Sequence, residues 1–155
     1  MSINVNQLKN LVIIPTLKIL NLYSEADVNL LLGTCAQESQ MGTFLHQITG
    51  PALGIYQMEP FTHNDLWATF LNNPKHHFLA TTIMNKISCQ EEDALVYNLR
   101  YATAMTRVFY LRVPEAIPPA NDINKLATYW KKYYNTEKGS GRVEEFIANY
   151  HKFVV

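Results

Sequence analysis

The feature that most constrains the fold of this chain is a long apolar pattern between residues 88 and 112. Ser88 and Glu91 form a capping-box pattern, so we predict one helix that starts there and runs to about Arg112. Its apolar positions cover more than the narrow stripe of a surface helix. They are Ala94, Leu95, Tyr101, Ala102, Met105, Val108 and Phe109. A helix with so broad an apolar face has to pass through the middle of the molecule, with Asn98 enclosed beside it.

The segments around this central pattern also favour helices. Ser24 and Asp27 form a second capping pattern, and Val28, Leu31 and Cys35 follow at helical spacing up to Glu38 and Ser39, with Gly42 as the exit. The predicted helices besides the central one are Val5 to Leu20 with a kink or split at Pro15, Ser24 to Ser39, Asn64 to Leu71, Asn121 to Tyr133, and Val143 to Phe153 after a Ser140 cap.

The stretch from Gly42 to Pro60 has a different composition, rich in Thr, Gly and Pro with short apolar alternations. This pattern predicts a loop with a small hairpin or irregular strands, at about Leu45–Gln47 and Leu53–Met58. The Asn72-Asn73-Pro74 segment reads as a surface loop. The predicted class is therefore mainly α with a small irregular β element.

Length and charge restrict the organisation and the partners. The 155 residues, 48% of them hydrophobic, suffice for one core and are too few for two comfortable domains, so residues 1–155 are predicted to form a single domain. Lys plus Arg equals Asp plus Glu at 13 each, so no net charge attracts the chain to nucleic acid or to an anionic membrane.

Cysteine and histidine spacing gives no sign of a metal or a disulfide framework. Cys35 and Cys89 lack metal-ligand spacing, and the adjacent His76 and His77 have no further ligand at motif distance, so we expect no metal and no cofactor. The remaining histidines are His46, His63 and His151. Met1 to Asn10 lacks the pattern of a secretory signal, and the apolar run Leu11–Ile14 is too short to cross a bilayer. Synthesis in the cytoplasm without membrane insertion is expected.

Glu38 is the acid best placed for chemistry. An apolar helix lies behind it, the negative end of that helix lies beside it, and a loop follows that can cover it. All three raise the pKa of a carboxyl group, which is what a general acid needs near neutral pH. Cleavage of a glycosidic bond requires such an acid to protonate the leaving oxygen.

Three ordered blocks in the chain carry a resemblance to a known family. They are Ala36-Gln37-Glu38-Ser39, then Ala52-Leu53-Gly54-Ile55-Tyr56-Gln57-Met58-Glu59-Pro60-Phe61-Thr62, then Tyr133-Tyr134-Asn135 followed by Gly139, Gly141, Arg142 and Val143. Together they resemble the lysozyme-like superfamily, in particular lytic transglycosylases and goose-type lysozymes. Between the second and third blocks, Tyr97-Asn98-Leu99 through Tyr110-Leu111 resembles the central helix of that family.

The resemblance implies a lysozyme-like bundle of helices with the β hairpin next to an active-site cleft. It gives Glu38 the role of acid and base and places Gln57 and Tyr134 against sugar. Asn135, Ser39 and Tyr56 belong to the matching blocks, and Thr49 corresponds roughly to a family Ser. Apart from the family, the Gln57 amide can donate to and accept from sugar hydroxyl or acetamido groups, and tyrosine faces suit pyranose rings.

The chain departs from the family pattern, which leaves the reaction open. Ile55-Tyr56 replaces Leu-Met before Gln57, Glu59 replaces an apolar residue, and no Ala-Gly follows Asn135. With one carboxylate, the C6 hydroxyl of the substrate attacks and a 1,6-anhydro sugar results, as in lytic transglycosylases. A second acid, Glu59 or Asp65, roughly 6.5–9.5 Å away would permit inverting hydrolysis as in goose-type lysozymes. The Gln-x-x-Pro-x-Thr pattern favours the transglycosylase.

The expected substrate is the glycan strand of peptidoglycan, cut between N-acetylmuramic acid and N-acetylglucosamine. The size and motifs resemble phage-encoded enzymes that degrade the bacterial cell wall, either endolysins released at lysis or domains carried in the virion. Virion or lysis-system partners are therefore expected, and the chain itself is expected to be a monomer. Two other functions stay open: a glycan-binding virion protein without activity, and a structural protein whose helices merely pack.

Overall fold

In a computed structural model, residues 1–88 and 90–155 are described and form a mainly helical structure. The predicted mainly α class is confirmed. Cys89, for which no metal or disulfide was expected, lies outside the described residues. The α-helices are α1 (Val5–Leu8), α2 (Ile14–Ile19), α3 (Glu25–Ser39), α4 (Pro60–Asp65), α5 (His77–Lys86), α6 (Ala94–Tyr97), α7 (Leu99–Arg112), α8 (Ile123–Trp130) and α9 (Val143–Phe153). In the described residues, each helix is too short or too polar to span a bilayer.

Within residues 1–88 and 90–155, three π-helical segments extend these helices. They are Lys9–Ile13 between α1 and α2, Leu66–Leu71 after α4, and Lys131–Asn135 after α8. The interruption predicted at Pro15 takes the form of a π segment that ends at Ile13, in the turn before the proline. A proline has no N–H for the ordinary helical bond, and its ring needs room in that preceding turn. The helix predicted from Asn64 begins earlier, at Pro60, which suits the first turn of a helix.

The central helix is α7, whose residues 101–108 are all buried. The prediction of one helix from Ser88 to Arg112 is wrong in its first part. Helix α6 begins only at Ala94, and Asn98 interrupts the helix before α7 begins. The Asn98 side chain accepts a hydrogen bond of 3.0 Å from the Tyr101 N–H, so Asn98 caps α7 instead of continuing the helix.

Several other helix ends differ from the prediction. Asp122 rather than Asn121 caps α8, and the residue before α9 is Arg142, which makes no side-chain cap, rather than Ser140. The segment after Asn73 is not only a loop, since a 3-10 turn at Pro74–His76 leads into α5. That helix was missed because its mixed polar and apolar residues lack a strong period.

The expected hairpin is reduced to two isolated antiparallel bridges. His46 pairs with Leu53, and Leu53 pairs with Met58, without a strand in the described residues. The alternation in this segment is too short to extend the ladder, and tight turns follow each bridge. The loop from 42 to 59 thus has antiparallel pairing at isolated positions and no regular strands.

Two groups of buried apolar side chains meet at α3 and α7. The larger is mostly aliphatic and gathers residues of α1, α2, α3, α5, α6 and α7 and of the π segment Leu66–Leu71. The smaller is rich in aromatic rings and consists of Leu30, Tyr110, Leu126, Ala127, Tyr129, Trp130, Phe146 and Tyr150. Helix α3 packs against α9 closely because Gly33 has no side chain: a methyl group there would come within 2.2 Å of Cζ of Phe146.

Candidate active site

The C-terminal end of α3 is fixed by its own backbone and by Ser39. Helix α3 spans the predicted residues, and Ser24 caps it as predicted. It ends where Gln40 and Met41 take left-handed φ angles of 51° and 55°, before Gly42 at 78°. The Ser39 hydroxyl donates to the Ile55 carbonyl at 2.6 Å and accepts from the Gly42 N–H at 2.8 Å. Buried Ser39 therefore ties the helix end to the following loop.

Glu38 is half-buried in the last turn of α3. Its Oε1 accepts a hydrogen bond of 3.0 Å from Nε1 of Trp130, and in the part of the chain described here no cation forms an ion pair with it. Burial raises the pKa of Glu38 to about 7, against the smaller opposing effect of the Trp130 bond. The carboxyl group is thus protonated in a large fraction of molecules near neutral pH and can donate a proton.

Glu38 lines a cleft with a volume of about 470 Å³. The cleft brings together residues from all three sequence blocks, which lie far apart in the chain. The lining residues are Glu38, Gln47, Ala52, Gln57, Met58, Glu59, Thr62, Phe109, Tyr134, Asn135, Gly139 and Ser140. Most of the polar side chains in this lining are amides and hydroxyls, the groups that bind sugar hydroxyls, while Phe109 and Met58 are apolar.

A tight turn from Leu53 to Met58 forms one wall of the cleft. Leu53 and Met58 exchange two backbone hydrogen bonds, of 2.9 and 3.0 Å. Gly54, at φ 78°, lies against the Leu95 carbonyl, where any Cβ would come within 2.0 Å of the oxygen. Gln57 follows at φ 51°, and its side-chain amide donates to the Gly54 carbonyl at 2.9 Å. This bond holds the Gln57 amide in place through its nitrogen, and Gln57 lines the cleft.

Tyr134 also lines the cleft. Its hydroxyl donates to the Tyr56 carbonyl at 2.6 Å, and its ring meets Phe109 edge-on at 4.9 Å between centroids. Burial and the nearby Glu38 carboxyl raise the pKa of Tyr134 well above its usual range, so the phenol keeps its proton. The hydrogen bond ties Tyr134 to the turn that carries Gln57.

Asn135 and Gly139 are held by Lys131. The Lys131 ammonium donates to Oδ1 of Asn135 at 2.6 Å and to the Gly139 carbonyl at 3.0 Å. Gly139 lies directly on the Asn135 backbone, because a Cβ at Gly139 would be 2.5 Å from the Asn135 carbonyl oxygen. The turn that borders this end of the cleft is therefore fixed by one lysine and one close backbone approach.

Other residues that the sequence suggested lie outside the cleft. Tyr56 is buried, and its hydroxyl pairs with Oγ1 of Thr103 at 2.9 Å, so Tyr56 contributes only its carbonyl to the site. Ser39 is also interior. Thr49 is exposed and does not line the cleft.

The two candidate second acids differ in placement. Glu59 is exposed and lines the same cleft as Glu38. Asp65 does not line it, and its Oδ2 pairs with Nη1 of Arg112 at 2.7 Å. Over residues 1–88 and 90–155, no three side chains of His, Cys, Asp or Glu lie close enough together to hold a metal.

Sequence reasoning missed Trp130 as a site residue. It falls within the helix predicted from Asn121, and its indole was assigned no partner. A signal was available, because a buried Trp N–H usually finds an acceptor. Choosing Glu38 as that acceptor required the fold, since 92 residues separate the two. Gln47 was missed as well, because nothing in the local sequence places its loop over the cleft.

Comparisons with protein-family models, with curated proteins and with solved structures give no match to this chain. The described residues define a mainly helical protein with a polar cleft and a partly buried carboxylic acid at its base.

Proposed function

We propose that this protein cleaves the glycan strands of bacterial peptidoglycan at the β-1,4 bond between N-acetylmuramic acid and N-acetylglucosamine, with Glu38 as acid and base. The observation that carries the proposal is the Glu38 carboxyl, which lines a polar cleft and whose pKa burial raises to about 7. A carboxylic acid with that pKa can both release and take up a proton near neutral pH. The resemblance of the three sequence blocks to lytic transglycosylases, and a lysozyme-like arrangement of the helices, belong to the same proposal.

In the proposed reaction Glu38 first acts as the acid. Its proton passes to the glycosidic oxygen while the bond from that oxygen to the anomeric carbon breaks, and the leaving sugar departs as an alcohol. The Glu38 carboxylate then takes the proton of the substrate's C6 hydroxyl, whose oxygen bonds to the anomeric carbon. The product is a 1,6-anhydro end, and no water is consumed.

The other cleft residues support a sugar substrate. Gln57 lines the cleft, and its amide oxygen can accept from a sugar hydroxyl while its nitrogen is held by the Gly54 carbonyl. Tyr134 and Phe109 offer ring surface against which a pyranose can pack. Asn135, fixed by Lys131, supplies further polar atoms at the border of the cleft.

Hydrolysis is the second candidate, and Glu59 is the observation in its favour. Glu59 lines the cleft together with Glu38 and makes no ion pair in the described part of the chain, so it is available to activate a water molecule. Asp65 is less suited, because Arg112 holds its carboxylate outside the cleft.

In either reaction we place the enzyme in a phage lysis system or virion, acting on the cell wall. A glycan-binding protein without turnover is the remaining alternative.

The test is a pair of matched substitutions in the two acids of the cleft, Glu38→Gln and Glu59→Gln. We expect Glu38→Gln to lower the release of fragments from purified cell walls by about 10³-fold or more, the scale of general acid and base catalysis combined. Gln keeps the shape and can still accept the Trp130 bond, so the melting temperature should not fall. Glu59→Gln should keep most of the activity, and mass spectrometry should find anhydro ends lacking the mass of one water.

Each other outcome has a definite meaning. Full activity of Glu38→Gln removes Glu38 from the mechanism. Loss of activity in Glu59→Gln, with hydrated ends from the unchanged protein, replaces the transglycosylase with the hydrolase. Binding of glycan fragments without any cleavage, seen as a ligand-dependent rise in melting temperature, assigns the protein to glycan binding. If the protein neither binds nor cleaves glycan, the proposal as a whole is wrong.

A further inference from the structure

Trp130 is a fully buried side chain at the end of α8, and its ring is held from several sides. Phe146 packs against it with 5.3 Å between ring centroids. Gly141 also lies against the ring, where a methyl group would come within 2.6 Å of Cη2 of Trp130. Phe146 in turn rests on Gly33 of α3. The indole therefore has little freedom to turn, and the direction of its N–H is set by the packing.

That N–H reaches Oε1 of Glu38 at 3.0 Å, although Glu38 is an acid that must exist both protonated and ionised. An indole nitrogen is only a donor, so the oxygen facing it has to accept. In a neutral carboxyl group the carbonyl oxygen is the better acceptor, and the proton is then placed on the other oxygen. In the ionised group the same bond stabilises the negative charge.

We propose that Trp130 is a positioning residue that fixes the Glu38 carboxyl so that its transferable proton sits on Oε2; this inference rests on the proposed function. In the first step the Oε2–H bond breaks, the proton passes to the glycosidic oxygen, and the bond from that oxygen to the anomeric carbon breaks. Trp130 donates to Oε1 throughout and loses no proton. In the second step Oε2 takes the C6 hydroxyl proton, and the starting state returns.

The structure offers a matched control for this role. Trp67 is the other tryptophan and is also buried. Its Nε1 donates to the Tyr101 hydroxyl at 2.9 Å, and its side chain does not line the cleft. Trp130→Phe and Trp67→Phe therefore remove the same N–H from two buried indoles and keep an aromatic ring. A role in packing alone predicts similar results for both variants.

For Trp130→Phe we expect kcat on cell-wall glycan to fall by about tenfold, the scale of one hydrogen bond to a charged group, with KM little changed. The Trp130 bond lowers the pKa of Glu38, so its removal raises it, and the alkaline limb of the activity profile should move to higher pH by up to about one unit. Trp67→Phe should move neither kcat nor the profile beyond what its stability explains.

A readout without activity keeps this inference separate from the proposed function. NMR titration of carboxyl carbons labelled with ¹³C in the glutamates gives the Glu38 midpoint in the unchanged protein and in both variants, with Glu38→Gln to assign the signal. A midpoint raised only in Trp130→Phe supports the positioning role even if no glycan is cleaved. An unchanged or lowered midpoint, or equal shifts in both variants, overturns it.

Discussion

The two ends of α3 each hold a partly or fully buried carboxyl group, and the two acids are supported in opposite ways. At the N-terminal end, Asp27 accepts from the Ser24 hydroxyl and pairs with Nε of Arg107 at 2.5 Å. Burial raises the pKa of Asp27, but the Ser24 bond and the Arg107 charge oppose that rise. At the C-terminal end, Glu38 receives one neutral N–H from Trp130.

The helix itself adds to this difference. Its N-terminal end carries partial positive charge, which favours an ionised Asp27, and its C-terminal end carries partial negative charge, which disfavours an ionised Glu38. One end therefore holds a carboxylate as part of a buried ion pair, and the other holds an acid that can change its protonation state. Burial alone does not make a carboxyl group reactive; the number and charge of its partners decide whether it keeps its proton.

The largest expected effect comes from making Asp27 resemble Glu38. Arg107→Met removes the cation and leaves the carboxylate of Asp27 buried with Ser24 as its partner. We expect the free energy of unfolding at pH 7 to fall by about 3–5 kcal/mol, the usual result of breaking a buried ion pair from one side. Urea denaturation followed by circular dichroism measures it.

The double variant Asp27→Asn with Arg107→Met is the control, because it removes both charges. It should recover a large part of the lost stability, since no unpaired charge remains. Lower pH should also shrink the loss in Arg107→Met, because Asp27 then becomes neutral. A loss that is the same at pH 4 and pH 7 would show that Arg107 acts through packing and not through the Asp27 charge.

The second effect concerns Glu38 and pH. Burial raises its pKa from 4.5 to about 7, so the folded protein binds a proton more tightly than the unfolded chain between those values. Stability from this group is fully present below about pH 4.5 and is lost as the pH rises through about 7. Glu38→Gln has no charge to bury, so it should be more stable than the unchanged protein at pH 8, by at most about 3 kcal/mol.

At pH 4.5 the two proteins should have nearly equal stability, and thermal unfolding at both pH values tests the difference. Glu59→Gln, in the same cleft and exposed, is the control and should show no such pH-dependent gain. Equal stability of Glu38→Gln and the unchanged protein at pH 8 would mean that Glu38 ionises without a penalty, and the comparison of the two ends of α3 would fail.

The sequence predicted α3 well because its signals are local. Ser24 and Asp27 mark the start, the apolar spacing marks the buried face, and Glu38 was placed in the last turn. Gln57, Tyr134, Asn135 and Glu59 were also expected at the site, through the resemblance of the motifs, and they line the cleft with Glu38. Patterns within a few residues suffice for such predictions.

Other features depend on contacts between distant segments. The break at Asn98 was missed because an asparagine is compatible with both a cap and an enclosed helical position, and only the packing around α6 and α7 decides. The partners of Glu38 and Asp27 were missed for the same reason: Trp130 and Arg107 lie 92 and 80 positions further along the chain. Tyr56 and Ser39 fall in the matching blocks, but their side chains point into the interior.

The smallest expected effect comes from a substitution in the middle of α3, between the two acids. Gly33→Ala places a methyl group within 2.2 Å of the Phe146 ring, which also packs against Trp130. Ala favours a helix over Gly by up to about 1 kcal/mol, but the forced shift of a buried ring costs about 1–3 kcal/mol. We therefore expect a net loss of stability of about 1–2 kcal/mol in urea denaturation, together with a shift of the Glu38 titration.

Phe146→Leu is the control for this steric clash, because it removes the ring that the methyl group at position 33 would contact. In that background the aromatic ring is gone, so Gly33→Ala should become neutral or stabilising by up to about 1 kcal/mol, as helix propensity alone requires. The Glu38 midpoint should then no longer respond to Gly33→Ala, because the contact from Gly33 through Phe146 to Trp130 is broken. A response that persists without the ring would mean that α3 transmits the change through its own backbone, and the acid at its C-terminal end would not depend on the aromatic cluster.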